Sequence, residues 1–422
     1  MSTSRDPSDA RTLDQVLCGT GSDFVERSAK VLFDQTERFI KLDNGSLLVF
    51  RHDDLRKLGA LQDVVGVPLD PWLQLAYLDR LPFVQDAHDL GAIQTFFANV
   101  ITNLDTEAHS LFKPPFASAF SPKIMRDFEP VMTQLAWSRI EQLSDCESFD
   151  LLRDLYIPLG LEFWNVMLSF TPDEKAKLLH ALPGASRAIG SRVVSPEDLA
   201  DSSDSLADYF SVLTAALDRS QGALPFIDSI REKVEIGKGT PLGRPKTLEL
   251  CIAASLSDGF HTMALGSANC AAALLNNERS YAEVRVDPTL LASAVNEGLR
   301  TLPPLGLFYR YTLADIDYEG WHLPAGTMLA MLWGAGNYDP AIHQSPERYD
   351  IHRVVKPLLT FGTGTQLCPG LNLVSMMSAT VLKVLTSPNV GIELAGDLEW
   401  VYAGILPALN TTSSAPARVR IN

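Results

Sequence analysis

The sequence predicts a mainly helical fold carrying small β-sheets, on three observations. Apolar residues recur at helical spacing through most of the stretch 120–280, and again from Leu290 to Leu299. Strand-like runs are confined to about 38–51, 306–331 and 391–410. A glycine-rich loop, Leu359-Thr360-Phe361-Gly362-Thr363-Gly364-Thr365-Gln366-Leu367-Cys368-Pro369-Gly370, hands one cysteine to a further helical pattern at Leu371, Leu373, Val374, Met377, Leu382, Val384 and Leu385. Length alone allows two or three domains; the elements read as a single domain over 1–422, with residues 1–20 as a polar tail containing a short helix.

In chain order, Phe39 to Phe50 is the clearest strand signal: two apolar runs flank Asn44-Gly45, a pair that favours a tight hairpin with positive φ at both centres. Asp53 or Asp54 then caps a short helix. Residues 62–95 lack clean periodicity and read as a binding loop or an irregular surface loop. Asp105 caps a helix that places His109 and Lys113 on one face, able to grip an anion or simply to face solvent. Pro114-Pro115 should put Lys113 at a helix boundary or kink.

From 120 to 280 helices dominate, with loops expected at 183–204 and from Gly237 to Pro245. A long apolar helix, Thr247 to about Asn277, is interrupted by the polar group Ser257-Asp258-Gly259-Phe260-His261-Thr262. A mid-helix glycine costs about 1 kcal/mol, so either Gly259 admits a ligand while His261 and Thr262 manage protons, or the helix is merely kinked there. Glu297 and Arg300 share a face of the helix Leu290 to Leu299. Strands follow at Phe308 to Thr312, Ile316 to Tyr318 and Leu323 to Met331, with a turn at Glu319-Gly320.

At the cysteine loop, the glycines at 362, 364 and 370 let the backbone bend and approach something bulky and flat. The start of a helix stabilises a thiolate. Cys368 is therefore either a thiolate held against a haem iron or a buried cysteine in a turn. Five cysteines, at 18, 146, 251, 270 and 368, form no CxxC pair, which disfavours a disulfide framework or structural zinc and favours a reducing compartment. A formal charge of -16 disfavours nucleic acid as a partner. The polar N-terminus and the lack of a long apolar run predict no signal peptide and no membrane span, hence a cytoplasmic protein.

Taken together, the motifs resemble those of the cytochrome P450 haem-thiolate monooxygenases, soluble bacterial type, from about residue 38 to 410. Phe361-Gly362-Thr363-Gly364-Thr365-Gln366-Leu367-Cys368-Pro369-Gly370 matches the family's FGxGxxxCxG loop, and Glu297-Gly298-Leu299-Arg300 its ExxR pair. Pro346-Glu347-Arg348-Tyr349 matches the preceding meander, the His109–Lys113 segment the helix that reaches the haem propionates, and Gly259-Phe260-His261-Thr262 the kinked distal helix. The resemblance implies a P450-like fold with haem b between the distal helix and the Cys368 loop. It makes Cys368 the iron ligand, with His109, Lys113, Arg310 and Gln366 near the propionates. Phe361, Gly362, Gly370 and Gly259 would border the haem, Thr262 and His261 would act above the iron, and Glu297, Arg300 and Arg348 would form a structural network.

Three departures stand out. His261 occupies the position before Thr262 where the family has an acid; it could relay protons, contact a substrate carboxylate or phenol, or pack against a neighbouring helix. Gln366 stands where a charged residue is common, and Lys113 where arginine is usual. The implied activity is oxidation of a small, largely hydrophobic substrate with O2, in secondary metabolism, by a monomer. Electrons would come from a separate ferredoxin-type partner, since nothing after the cysteine loop resembles a reductase. The pocket is expected to involve residues 62–95 and 160–190, Phe260, His261 and Leu305 to Leu307. The alternatives are peroxide-driven chemistry, motivated by His261, and a non-catalytic haem-binding protein or sensor.

Overall fold

The computed structural model describes residues 11–12, 16, 24–190, 192–219, 227–228, 231–232, 245–354, 356–401 and 411–421. Most of the expected tail at 1–20, the loop expected from 237 to 244 and residues 402–410 lie outside them. The rest is mainly helical with small sheets, as the patterning predicts.

The largest sheet among the described residues joins the first and last thirds of the chain. Strands β1 (Ile40–Lys41) and β2 (Leu47–Val49) form the expected hairpin, and β3 is Val64–Val65. Two later strands, β4 (Phe308–Thr312) and β5 (Met328–Met331), complete the order β1-β2-β5-β4-β3. β2 runs parallel to β5, with Leu47, Leu48 and Val49 opposite Leu329, Ala330 and Met331; the other pairings are antiparallel. The hairpin turn differs from expectation: only Gly45 has positive φ (80°), and Asn44 is not among the positive-φ residues. Leu42 N donates to Ser46 O, and Asn44 Oδ1 accepts from Ser46 N and Oγ, so the asparagine closes the turn through its side chain. The run expected at 323–331 is broken by Gly326 (φ 86°) into Trp321–Leu323, which pairs with Ile316–Tyr318, and β5.

Helix α1 (His52–Gly59) follows the hairpin, but neither Asp53 nor Asp54 caps it. Its N-cap is Arg51, and the orphan amide of His52 donates to Asp339 Oδ2 at 2.9 Å, a cap supplied from the far end of the chain. Asp339 is buried and also accepts from Ala341 N. Asp339→Ala is expected to cost about 1–2 kcal/mol, in line with other lost caps, read as a lowered urea midpoint.

Helix α2 (Thr106–Ser118), capped by Asp105, continues through Pro114 and Pro115, so Lys113 lies inside the helix and not at the expected boundary. Each proline removes one backbone donor, but Phe112 and Phe116 are buried and stack at 5.2 Å, and Phe116 packs on Phe120. Tertiary packing outweighs local propensity here. The same holds at 183–204, expected as loop. Helix α3 (Pro172–Ile189) runs through Pro183, and α4 (Pro196–Arg219) packs against it. A Cβ on Gly184 would collide with Ser205 and Asp201, so this glycine serves close helix contact and not a loop.

The long helix α5 (Pro245–Leu275) crosses the middle and packs against α4, α6 (Leu291–Thr301) and α7 (Leu371–Leu385). Buried small residues at 253, 254, 264, 268, 271 and 272 let these neighbours approach. At the closest crossing, a Cβ on Gly298 would stand 2.8 Å from Cys270 Cα. α5 runs through the polar group at its centre as one helix. Ser257 Oγ and Thr262 Oγ1 bond back to the carbonyls of Ala253 and Asp258, so the polar hydroxyls are satisfied within a continuous helix.

Candidate active site

Two adjoining cavities lie between α5 and the cysteine loop. The inner one has about 1150 Å³ of empty space including its mouth, and is bordered by Cys368 and Phe361 on one side and Gly259 and Thr262 on the other. The outer one, with about 890 Å³ on the same measure, is bordered by His261 and Arg192. Thr102, Asp258, Thr262, Leu305, Phe308 and Arg310 border both.

Backbone geometry shapes the turn that presents the cysteine. Gly362 (φ 71°) and Gly364 (φ 64°) take conformations that side chains disfavour, and a Cβ on Gly364 would run into the backbone of Gly59. These turns bring Cys368 N to Phe361 O at 2.8 Å. The Gly370 and Leu371 amides, at the start of α7, donate to the Cys368 sulfur. Burial nevertheless pushes the thiol up to about 11; the two amides and Lys113 oppose that push, while the Asp258 charge adds to it. Above the loop, a Cβ on Gly259 would meet only Trp164, at 3.9 Å, which leaves the cavity clear as the sequence suggests.

A partly buried cluster of basic side chains tests whether haem fits. Arg310 is only 5% exposed, donates to Tyr309 O and leaves its Nε without a partner. Lys113 Nζ donates to Thr365 O, and His109, which contacts Gln366, has an unpartnered Nε2. No carboxylate among the described residues pairs with these three. Burial lowers Arg310 to about 10 and Lys113 to about 8. Burial, then the Lys113 and Arg310 charges, lower His109 to about 4, against the Gln366 hydrogen bond. Two unanswered cations, Arg310 and Lys113, beside a half-buried thiol and a cavity of this size suit an iron porphyrin carrying two carboxylates.

Behind the loop, Arg300 donates from Nε and Nη2 to the two oxygens of Glu297, each at 2.8 Å, with both residues buried. The expected third side chain, Arg348, is not in this network; it contributes its carbonyl to Arg300 Nη2 and to Arg353 Nη2. The guanidinium that completes the triad is Arg353, 3.1 Å from Glu297 Oε1. Arg300 Nη1 donates to Asn337 O, and Asn337 in turn holds Leu359 N and Thr360 Oγ1. A buried asparagine thus connects the triad to the first residues of the cysteine loop.

On the distal side the sequence reading missed an acid. Asp258 lies one turn before Thr262, borders both cavities, and is pushed up to about 6 by burial. The signal was available: residues four apart share a helical face. His261 borders the outer cavity and not the inner one; burial and then the Arg192 charge lower it to about 4, so it is neutral at pH 7. Phe260, expected in the pocket, instead stacks on Trp164 at 5.2 Å and packs on Tyr209. Val67, Trp72, Ser186, Ile189 and Gly190 do reach the outer cavity, as expected of their segments.

Known proteins agree with this geometry. A family model described as Cytochrome P450 matches residues 274–386. The chain is 28% identical over 294 residues to a steroid C26-monooxygenase of Mycobacterium tuberculosis, covering 68% of this chain and 77% of that protein. It is 24% identical over 297 residues to the biotin biosynthesis cytochrome P450 of Bacillus subtilis, covering 70% and 73%. The CalO2 crystal structure superposes with a TM-score of 0.80 over 98% of this chain and 99% of that one, at 20% identity. Those matches, joined to a thiol loop braced by a buried ExxR triad, establish that the chain belongs to the cytochrome P450 family of haem-thiolate monooxygenases.

Proposed function

We propose that this monooxygenase oxidises a small, largely apolar organic substrate with O2, drawing electrons from a separate ferredoxin-type protein. The observation that carries the reading is the pairing of the Cys368 loop with a distal face that bears both a hydroxyl and a carboxyl. The P450 fold accounts for 98% of these residues, so a reductase would lie outside them. No described helix is long and apolar enough to cross a membrane.

When bound, the haem supplies oxygen activation; the chain's own residues position it and manage protons. Cys368 ligates the iron, Arg310, Lys113 and His109 orient the propionates, and Gln366 holds His109. Asp258, bordering both cavities, takes a proton from the outer one and makes it available beside Thr262 Oγ1. This assignment places the missing acid one turn earlier than the family's pattern, which weakens the case for peroxide-driven chemistry.

Turnover with NAD(P)H, a ferredoxin reductase and ferredoxin tests the reading; product formed with hydrogen peroxide and with no electron pair tried would count against it. In the same assay, Asp258→Asn is expected to lower coupled product formation by about 10²-fold, the usual scale for a lost acid–base group, and to divert electrons to peroxide. Asp258 is raised in the folded state, so its proton stabilises the fold at low pH and that contribution is lost as pH rises through about 6. The stability of the asparagine variant relative to the parent should therefore grow between pH 4 and pH 6 and level off above, read by urea unfolding.

A further inference from the structure

The outer cavity contains more hydrogen-bonding capacity than the chain itself uses. Arg192 borders it, and its only side-chain hydrogen bond among the described residues is from Nη2 to the Ser186 carbonyl, at 3.1 Å. The nearby acids are engaged elsewhere: Asp198 and Asp201 both pair with Arg187. Asp258, though on the same cavity, is shifted by burial alone, with no contribution from Arg192. Around this guanidinium, three more side chains of the cavity wall carry buried polar atoms with no partner: Ser186 Oγ, His261 Nδ1 and Trp72 Nε1. Serine and tryptophan are donors, and neutral histidine donates from one ring nitrogen. Gly190 adds room for the arginine, since a Cβ there would stand 2.9 Å from Arg192 Nε.

A half-buried arginine without an anion is costly, and buried donors such as those of Ser186 and Trp72 are normally satisfied. The cost is relieved if the missing acceptor arrives with a ligand. The outer cavity offers about 70 Å³ for water centres, room for about five to seven waters at 10–15 Å³ each. That is the scale of a carboxylate and a few carbons, and the cavity continues past Thr262 into the apolar inner space.

We propose that Arg192, with His261 and Ser186, binds the carboxylate of the substrate, so that the enzyme acts on apolar carboxylic acids held by the acid end and oxidised toward the other. The proposal rests on the monooxygenase reading and gives His261 a recognition role in place of a relay. Arg192 supplies the charge through a fork that matches a carboxylate, while His261 and Ser186 add neutral donors.

The test uses holoenzyme and two matched pairs, decanoate and 4-butylbenzoate, each against its methyl ester, with binding read by calorimetry and by the Soret spin-state shift. At least one acid is expected to bind ten times more tightly than its ester, a difference of about 1.4 kcal/mol. Arg192→Gln should abolish that preference while leaving ester affinity within twofold, and Arg192→Lys should restore part of it. Equal binding of acids and esters, failure of both acids to bind, or an equal loss for acid and ester in R192Q would each overturn the proposal. Should R192Q not take up haem, the comparison of acids with esters on the parent enzyme decides alone. A thiolate-type Soret band in the reduced carbon monoxide complex reports separately on Cys368, so the acid site can fail while the monooxygenase reading stands.

Discussion

Cys368→Ala is expected to abolish the thiolate-type Soret band of the reduced carbon monoxide complex and to lower turnover by ~10³-fold or more, about 4 kcal/mol of barrier at 1.36 kcal/mol per decade. The prediction separates chemistry from folding. The loop is shaped by the positive φ of Gly362 and Gly364 and by the Cys368 N to Phe361 O bond, none of which needs the sulfur. The Gly370 and Leu371 amides would lose an acceptor, but they open α7, where water can replace it. Thermal unfolding of the haem-free variant should therefore stay close to that of the haem-free parent. An alanine variant that keeps the thiolate-type band would remove Cys368 from the iron.

Glu297→Ala carries the largest expected cost in stability. It takes from the guanidiniums of Arg300, 1% exposed, and Arg353 the carboxylate that both share. Breaking a buried ion pair from one side costs about 3–5 kcal/mol, a large share of the 5–15 kcal/mol that holds a typical protein folded. The loss extends beyond the pair. Glu297 Oε1 also accepts from Asp350 N, and Arg300 steadies Asn337, which carries Leu359 N and Thr360 Oγ1. Urea unfolding should show the full loss, with lower haem occupancy because the cysteine loop loses its brace. Glu297→Gln, which keeps the shape and one acceptor, should fall between. A loss under about 1 kcal/mol in Glu297→Ala, the scale of an exposed pair, would contradict the buried-brace account.

What the sequence made legible is what local spacing encodes. Cys368 with its glycines, and Glu297 with Arg300, were visible because each motif's geometry lies within one loop or one helical turn. Asn337 and Arg353 were not. They reach Arg300 and Glu297 from 37 and 56 residues away, and nothing beside them in the chain marks the partner. The choice of Arg348 failed for a related reason: the position is right, but its carbonyl does the bonding and a carbonyl has no signature. Asp258 was visible but passed over, because the acid was sought next to Thr262 and not one turn before it. At Pro114-Pro115 local rules predicted a boundary or kink and at Pro183-Gly184 a loop, where aromatic packing and a close helix pair carry the helices on. Arg192 depended on seeing which cations lack an anion, which only coordinates supply.

The sheet that joins the first and last thirds of the chain also sets a timetable on the ribosome. β2 needs β5 as its neighbour, and α1 takes its cap from Asp339, 287 residues after His52. At about 5–20 residues per second, that partner emerges about 15–60 s later. Until then Leu47, Leu48 and Val49 form an unpaired apolar edge, the kind of template that recruits other strands. A segment synthesised early is thus among the last to find its place, and a nascent-chain chaperone would have much to protect there.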